Sequence, residues 1–415
     1  MYAHRSEASP PEPVSRFVPM ALTKPALAAA LGIDGGAIFQ ILAVEDLGLS
    51  PAAIGTAFGL GLMSLPLQLW AGRMPLHLAR RNLQIFLVLA AIQSALLAWL
   101  LAVGATGGLA AMALVVTVTA EVAISVLFAT AWQPLLSTRV RSRDRQRINA
   151  GWTALGRGLL AGLLVVFSAA DVAGRSLLLV ALSLVAIGVA ANLKRITVTD
   201  VNTPAAPTSH SNARSQRLTS AMRWILGSFI VINLGALPLW LVYLSQVMWP
   251  AADLGAVGAI QTIAVAAALL AWRTTKGDLG RRAMVGVLLV LGGSMALLGV
   301  GKAAESSGEH ATVLVVTVAM TFGMMYTSLA LLEMAHRLVG EQDGVVRIFT
   351  LIDVVDSSSL QMGLFVGGLL VTWSVRVTTW APYVAFVVAM SILATAAVGR
   401  TVRLTRDTSV GDGDI

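Results

Sequence analysis

The chain has 415 residues, 57% of them hydrophobic and 12% charged, with a net charge of +8. Soluble domains carry about 25% charged residues, so too little polar surface remains here to face water, and a large soluble domain is excluded. The basic residues sit in short segments between apolar runs, which suits membrane topology rather than a nucleic-acid face; there are no cysteines, hence no disulfide framework and no thiolate metal site.

In chain order, residues 1–23 read as a cytoplasmic tail, polar and proline-rich up to Arg16, without the apolar core of a signal peptide. Apolar runs long enough to cross a bilayer then predict about twelve helices, at 24–44, 51–70, 83–103, 109–131, 148–169, 174–193, 224–248, 254–272, 283–302, 311–334, 347–372 and 378–399. A polar stretch over 194–223 reads as a cytoplasmic linker, which divides the chain into two six-helix halves, 24–193 and 224–399; residues 400–415 read as a cytoplasmic C-terminal tail. With both termini inside, the inner segments hold 25 Lys/Arg and the outer loops three (Arg175, Lys302 and Arg376), which satisfies the positive-inside rule.

The halves echo each other. Asp46-Leu47-Gly48, Ile54-Gly55 and Arg80-Arg81 in the first correspond to Asp253-Leu254-Gly255, Val257-Gly258 and Arg281-Arg282 in the second. Internal repeats of this kind mark secondary transporters, with the solute site near the midplane between repeats.

On these residues the chain resembles the major facilitator superfamily over essentially its whole length. Leu47-Gly48-Leu49-Ser50-Pro51 running into Ile54-Gly55 resembles the family's first outer turn. The loop Gly72-Arg73-Met74-Pro75-Leu76-His77-Leu78-Ala79-Arg80-Arg81 keeps the opening glycine and closing arginines of the family's gating loop, with Leu76 in place of its acid. Lys276-Gly277-Asp278-Leu279-Gly280-Arg281-Arg282 is the second copy. Arg143-Asp144-Arg145-Gln146-Arg147-Ile148-Asn149-Ala150 resembles the approach to span five in exporter branches, although the Gly-Pro pair of antiporters is missing. The resemblance implies an all-α bundle of two pseudo-symmetric halves that moves a solute by alternating access. It also implies conformational roles for Gly72, Arg80, Arg81, Gly280, Arg281 and Arg282.

Ionisable groups within the hydrocarbon cost about 2.5–3.5 kcal/mol each on insertion scales and are functional by default. Asp34 in span one, Glu121 in span four and Arg157 in span five lie near the middle of their predicted spans. The two carboxyls are candidates for taking and releasing a proton. Arg157 is a candidate for solute contact, or for a static pair with Glu121. Asp353 and Asp356 share a face of span eleven, and Asp356 is the deeper. Gln40, Asn233 and Gln261 lie on spans one, seven and eight, which line the cavity of the family resembled. Each is a candidate to touch solute or to bond neighbouring helices. Asn233 with Pro238 predicts a bend in span seven. Gly363, Gly367 and Gly368 predict close helix approach in span eleven.

No phosphate-binding loop of the Gly-x-x-x-x-Gly-Lys-Ser/Thr type and no His-Glu-x-x-His occurs, so transport driven by this chain's own ATP hydrolysis and zinc chemistry are not expected. Neither a cofactor nor a metal is expected. The expected partners are a small-molecule substrate, protons and the lipid bilayer, not nucleic acid, and the chain is expected to be a monomer in the inner (plasma) membrane. The leading expectation is proton-coupled efflux of a small amphipathic organic molecule. The alternatives are a proton-coupled importer of a polar solute, a lipid-linked transferase built on Glu45-Asp46, and a sensor on a transporter fold.

Overall fold

The computed structural model describes residues 36–66, 70, 78–105, 107–110, 112–113, 115–117, 142–192, 212–275, 277–300, 306–339 and 345–410. Among these residues there is no strand. Helix α1 (Ala37–Ile41) widens into a π-turn, Leu42–Asp46. Helix α2 (Pro51–Leu60) tightens into a 3₁₀ turn, Gly61–Ser64. Then come α3 (Ala79–Ala102), α4 (described in part within 107–117), α5 (Ser142–Ala169) and α6 (Val172–Asn192). Helix α7 is in two pieces, α7a (Asn212–Gly235) and α7b (Trp240–Tyr243), the latter continuing as a π-turn, Leu244–Met248. The chain ends with α8 (Leu254–Thr274), α9 (Leu279–Leu297), α10 (Ser307–Val339), α11 (Val345–Arg376) and α12 (Ala381–Val410).

Eight of the described helices are long and apolar enough to cross a membrane, with mean hydropathy between 1.3 and 2.4 in their most apolar windows. Their outward faces carry large apolar side chains, such as Leu177 at 70% and Leu184 at 64% exposure on α6. Contiguous apolar surface of this extent is stable only against lipid, and the chain is a multi-pass membrane protein.

Turns alternate between two ends of the bundle. The far end holds 47–50, 170–171, 249–253 and 377–380; the near end holds 275, 277–278 and the C-terminus of α12. Two far-end helices start on the same device. Ser50 caps α2 by accepting from Ala53 N at 3.3 Å, and Asp253 caps α8 by accepting from Ala256 N at 3.0 Å. The principal packed pairs are α5 with α8, α2 with α11, α3 with α6, α9 with α10 and α7 with α12. One apolar core fills the far half around Phe39, Phe58, Trp240, Tyr243 and Tyr383, and a second lies nearer the other end around Ile225, Phe229, Ala330 and Val398.

Where predicted spans fall on described residues, helices lie there with different ends; 24–35 of the first span and 118–131 of the fourth lie outside the described residues. Helix α12, expected to stop at 399, runs to Val410, and α7a begins at Asn212 inside the expected linker. Hydropathy marks where apolar side chains run out, whereas a helix ends where its backbone hydrogen bonds do. At α12 the polar turns stay helical because Val402 packs against Gly280 and Arg406 pairs with Asp278 at 2.7 Å.

Candidate functional site

The site is built around the break in α7. Pro238 lacks an N–H and cannot continue a helix. Its neighbours Leu237 (φ 47°) and Leu239 (φ 52°) take the left-handed conformation that L side chains rarely adopt. Such backbone persists only where surroundings enforce it, and here three contacts do. The Tyr383 hydroxyl donates to Pro238 O at 2.9 Å. A Cβ on Gly367 would stand 2.9 Å from Pro238 Cβ, and one on Gly363 would stand 2.8 Å from Asn233 O. Helix α11 thus offers glycines to the break because any larger residue would push the two apart.

On the near side of the break, Asn233 Nδ2 donates to Asp356 Oδ1 at 2.8 Å, to Ser359 Oγ at 3.0 Å and to the Asp356 carbonyl at 3.1 Å. Asn233 and Ser359 are buried, while Asp356 is exposed at the margin of their interface. An amide thus clasps one oxygen of an exposed carboxylate at this margin. Such a group can accept a hydrogen bond from a solute or take up a proton.

On the far side an aromatic stack closes the core. Tyr243 and Tyr383 lie face to face with ring centroids 3.9 Å apart, and Trp240 stacks on Tyr243 at 5.8 Å. Trp240 Nε1 donates to Thr317 Oγ1 at 3.0 Å. The Tyr243 hydroxyl is fully buried and has no hydrogen-bond partner among the described residues.

Two close crossings shut the far end. Gly55 of α2 meets Gly368 of α11, where a Cβ on the first would lie 2.8 Å from the Cα of the second. Gly255 of α8 fits against Ser168 of α5, whose hydroxyl donates to Asp253 Oδ1 at 2.7 Å. That bond, followed by the backbone N–H of Ala256, holds the Asp253 carboxyl below its ordinary value. Behind this crossing Arg175 ties three elements. Its guanidinium meets Asp46 at 2.8 Å and Glu45 at 2.7 Å, and its Nε donates to Phe167 O at 3.0 Å. A cation thus caps the carbonyl end of α5, as the helix dipole favours, while holding the π-turn of α1.

The candidate residues fall unequally. Asp34, Glu121 and Gly72 lie outside the described residues, as does the expected Glu121–Arg157 pairing. Asn233 and Asp356, 123 positions apart, are brought into contact. Gln40 is buried on α1. Arg157 on α5 and Gln261 on α8 are half-buried on two helices that meet at Ser168–Gly255 and again at Gly151–Arg273. At the near end Arg80 stands in the first turn of α3 and Arg81 is exposed. Gly280 is buried because a Cβ there would meet Val402 Cγ1 at 2.6 Å, Arg281 is exposed, and Arg282 lies over the Trp272 ring at 4.9 Å while donating to Thr275 O. Glu333 and Arg337 form the surface pair expected of an i, i+4 spacing, at 3.2 Å. Sequence reasoning missed the Arg175 clamp and the Trp240–Tyr243–Tyr383 stack. The available signal for the clamp was the rarity of basic residues at the far end; the stack left none, since its rings come from two distant segments.

No family model and no curated protein matches the sequence. Solved structures do match in fold. A single-substitution variant of the nucleoside transporter NupG is similar with a TM-score of 0.64 at 11% identity, over 93% of this chain and 99% of that one. A bacterial homologue of the human lysosomal transporter Spinster gives 0.58 at 14% identity, over 96% and 98%. The E. coli fucose:proton symporter FucP gives 0.55 at 13% identity, over 94% and 97%. The chain has the fold that these proteins share.

Proposed function

We propose that the chain is a secondary active transporter that couples proton movement to export of a small amphipathic organic molecule by alternating access. The observation that carries this reading is the broken α7 beside the Asn233–Asp356 contact, in a bundle whose far end is closed by glycine crossings. Broken helices with polar groups beside them are where transporters of this architecture hold their solutes. In this reading Asn233 and Asp356 contact solute, with Gln40, Gln261 and Arg157 around them. Asp34 and Glu121 carry the proton, because burial raises a carboxyl pKa and an approaching cation lowers it. The paired loops that contain Gly72, Arg80, Arg81, Gly280, Arg281 and Arg282 act on the near end, which the basic residues assign to the cytoplasm. The protein works as a monomer in the inner (plasma) membrane. The mostly apolar surroundings of a few polar anchors suit an amphipathic solute.

Import of a polar solute is the second reading. It is favoured by the polar solutes of two structural neighbours, a nucleoside transporter and a fucose:proton symporter. The transferase reading rested on Glu45 and Asp46, and both carboxylates are engaged by Arg175. The test is partitioning of metabolites and dyes between cells and medium, with wild type, Asp356→Asn, Asp34→Asn and an empty vector. Depletion of a compound from cells by wild type alone is the expected result. Accumulation selects the import reading, and no difference at equal membrane expression removes the transport proposal.

A further inference from the structure

The near end of α12 carries arginines where a lipid-facing surface should be apolar. The exposed positions of this helix, Ala385, Ala389, Ile392, Leu393 and Ala396, form one stripe at helical spacing, and Arg400 and Arg403 continue it. The opposite face is buried, with Thr401 at 0% and Val402 at 9% exposure, so the arginines point where the apolar stripe points. Helix α9, packed against α12, repeats the pattern. Its exposed stripe runs Met295, Leu288 and Val285 to Arg281 at the same end.

The levels agree across the helices. Gly280 packs on Val402, and Asp278 pairs with Arg406 at 2.7 Å, which sets Arg281 beside Arg400 and Arg403 in height. On the other flank of α12, Ser228 of α7a meets Thr401 at 3.1 Å, so the exposed Arg223 stands about one turn nearer the end. Its neighbour Trp224 is 41% exposed, where an indole marks the boundary between hydrocarbon and headgroups. No carboxylate among the described residues pairs with Arg223, Arg281, Arg400 or Arg403. The nearby Asp278 is already taken by Arg406.

We propose that Arg281, Arg400 and Arg403, flanked by Arg223, form a binding site for the phosphate of an anionic phospholipid, whose acyl chains lie along the apolar stripes of α9 and α12. Guanidinium groups bind phosphate with paired donors, and a basic cluster at the end of a span attracts anionic headgroups. The apolar stripes directly beneath the cluster select a lipid over a soluble phosphate. The inference concerns the outer face of the bundle and does not depend on what the interior carries.

The test is a thermal melt of the purified full chain in mild detergent with added phosphatidylglycerol, phosphatidylcholine or inorganic phosphate. Wild type is compared with R281Q/R400Q/R403Q and with R81Q/R337Q, which removes charge at the same end but outside the cluster. Phosphatidylglycerol is expected to raise the midpoint of wild type and of R81Q/R337Q by about 2 °C or more, and to leave the triple variant unmoved. Phosphatidylcholine and inorganic phosphate are expected to do nothing. An equal shift with phosphatidylcholine or inorganic phosphate, or a full shift in the triple variant, overturns the proposal. Should the triple variant fail to melt cooperatively, Arg403→Gln alone with a count of retained phosphatidylglycerol by native mass spectrometry decides. The proposal requires at least a twofold lower occupancy than wild type, and equal occupancy refutes it.

Discussion

Arg175 shows how much one side chain can organise. Its side chain is 9% exposed and that of Asp46 is 6% exposed, so the pair is a buried one. Removing one member of a buried pair strands the other charge and costs about 3–5 kcal/mol. Arg175→Gln is therefore expected to lower the melting temperature well beyond Arg337→Gln, whose partner Glu333 is reached from an exposed position. Equal effects in detergent would refute the clamp. Asp253 gives a signed prediction. Its carboxyl is depressed by Ser168 while the far end is closed, so the closed form's gain from ionised Asp253 is fully present above the ordinary value of 3.8 and is lost as pH falls below it through the depressed value. Closure should be insensitive to this group near neutrality and weaken in acid, and Ser168→Ala should blunt the acid response. Neither Asp253–Ser168 nor Asn233–Asp356 was legible in the sequence. They join residues 85 and 123 positions apart, and composition carries no record of which side chains a fold brings together.

Helix breaks and crossings were more legible. Pro238 announced the break because a proline has no N–H to give, and Gly363, Gly367 and Gly368 announced close approach because only glycine tolerates it. The π-turns Leu42–Asp46 and Leu244–Met248 carried no such signal. They are one-turn adjustments imposed by neighbours rather than by local residue type. Gly368→Leu should prop α2 and α11 apart at the far end, since a Cβ there would lie 2.7 Å from Gly55 Cα and Pro51 O. An impermeant maleimide should then label a single engineered cysteine lining that crossing faster than in the parent, against no background because the chain has no cysteine. Unchanged labelling would mean that this contact does not hold the far end shut. Thr378, at φ 51° and exposed in the α11–α12 turn, should accept asparagine with a gain of about 0.5–1 kcal/mol, because asparagine tolerates the left-handed region better. A loss on that substitution would indicate that the threonine holds the turn.

At the scale of the molecule, charge asymmetry and apolar run lengths reached the fold class. The reason is that lipid permits few architectures, and helices with internally satisfied backbones are the main one. In the proposed reading the solute, the coupling ion and the direction are set by a handful of side chains in the interior, and a sequence that departs at Leu76 from the loop pattern of the family it resembles carries little record of them. What the arrangement does define is a mechanical expectation. A bundle closed at one end by small residues and an inter-half hydroxyl–carboxylate bond is, in the proposed reading, expected to open there.

The most direct test is the distance between spin labels at Val172→Cys and Val377→Cys, exposed far-end positions in the two halves. Alternating access driven by protonation of interior carboxyls predicts two distance populations, with the longer one growing between about pH 8 and pH 5 and dominating in Gly368→Leu. A single short distance, unchanged by pH and by that substitution, would contradict the account.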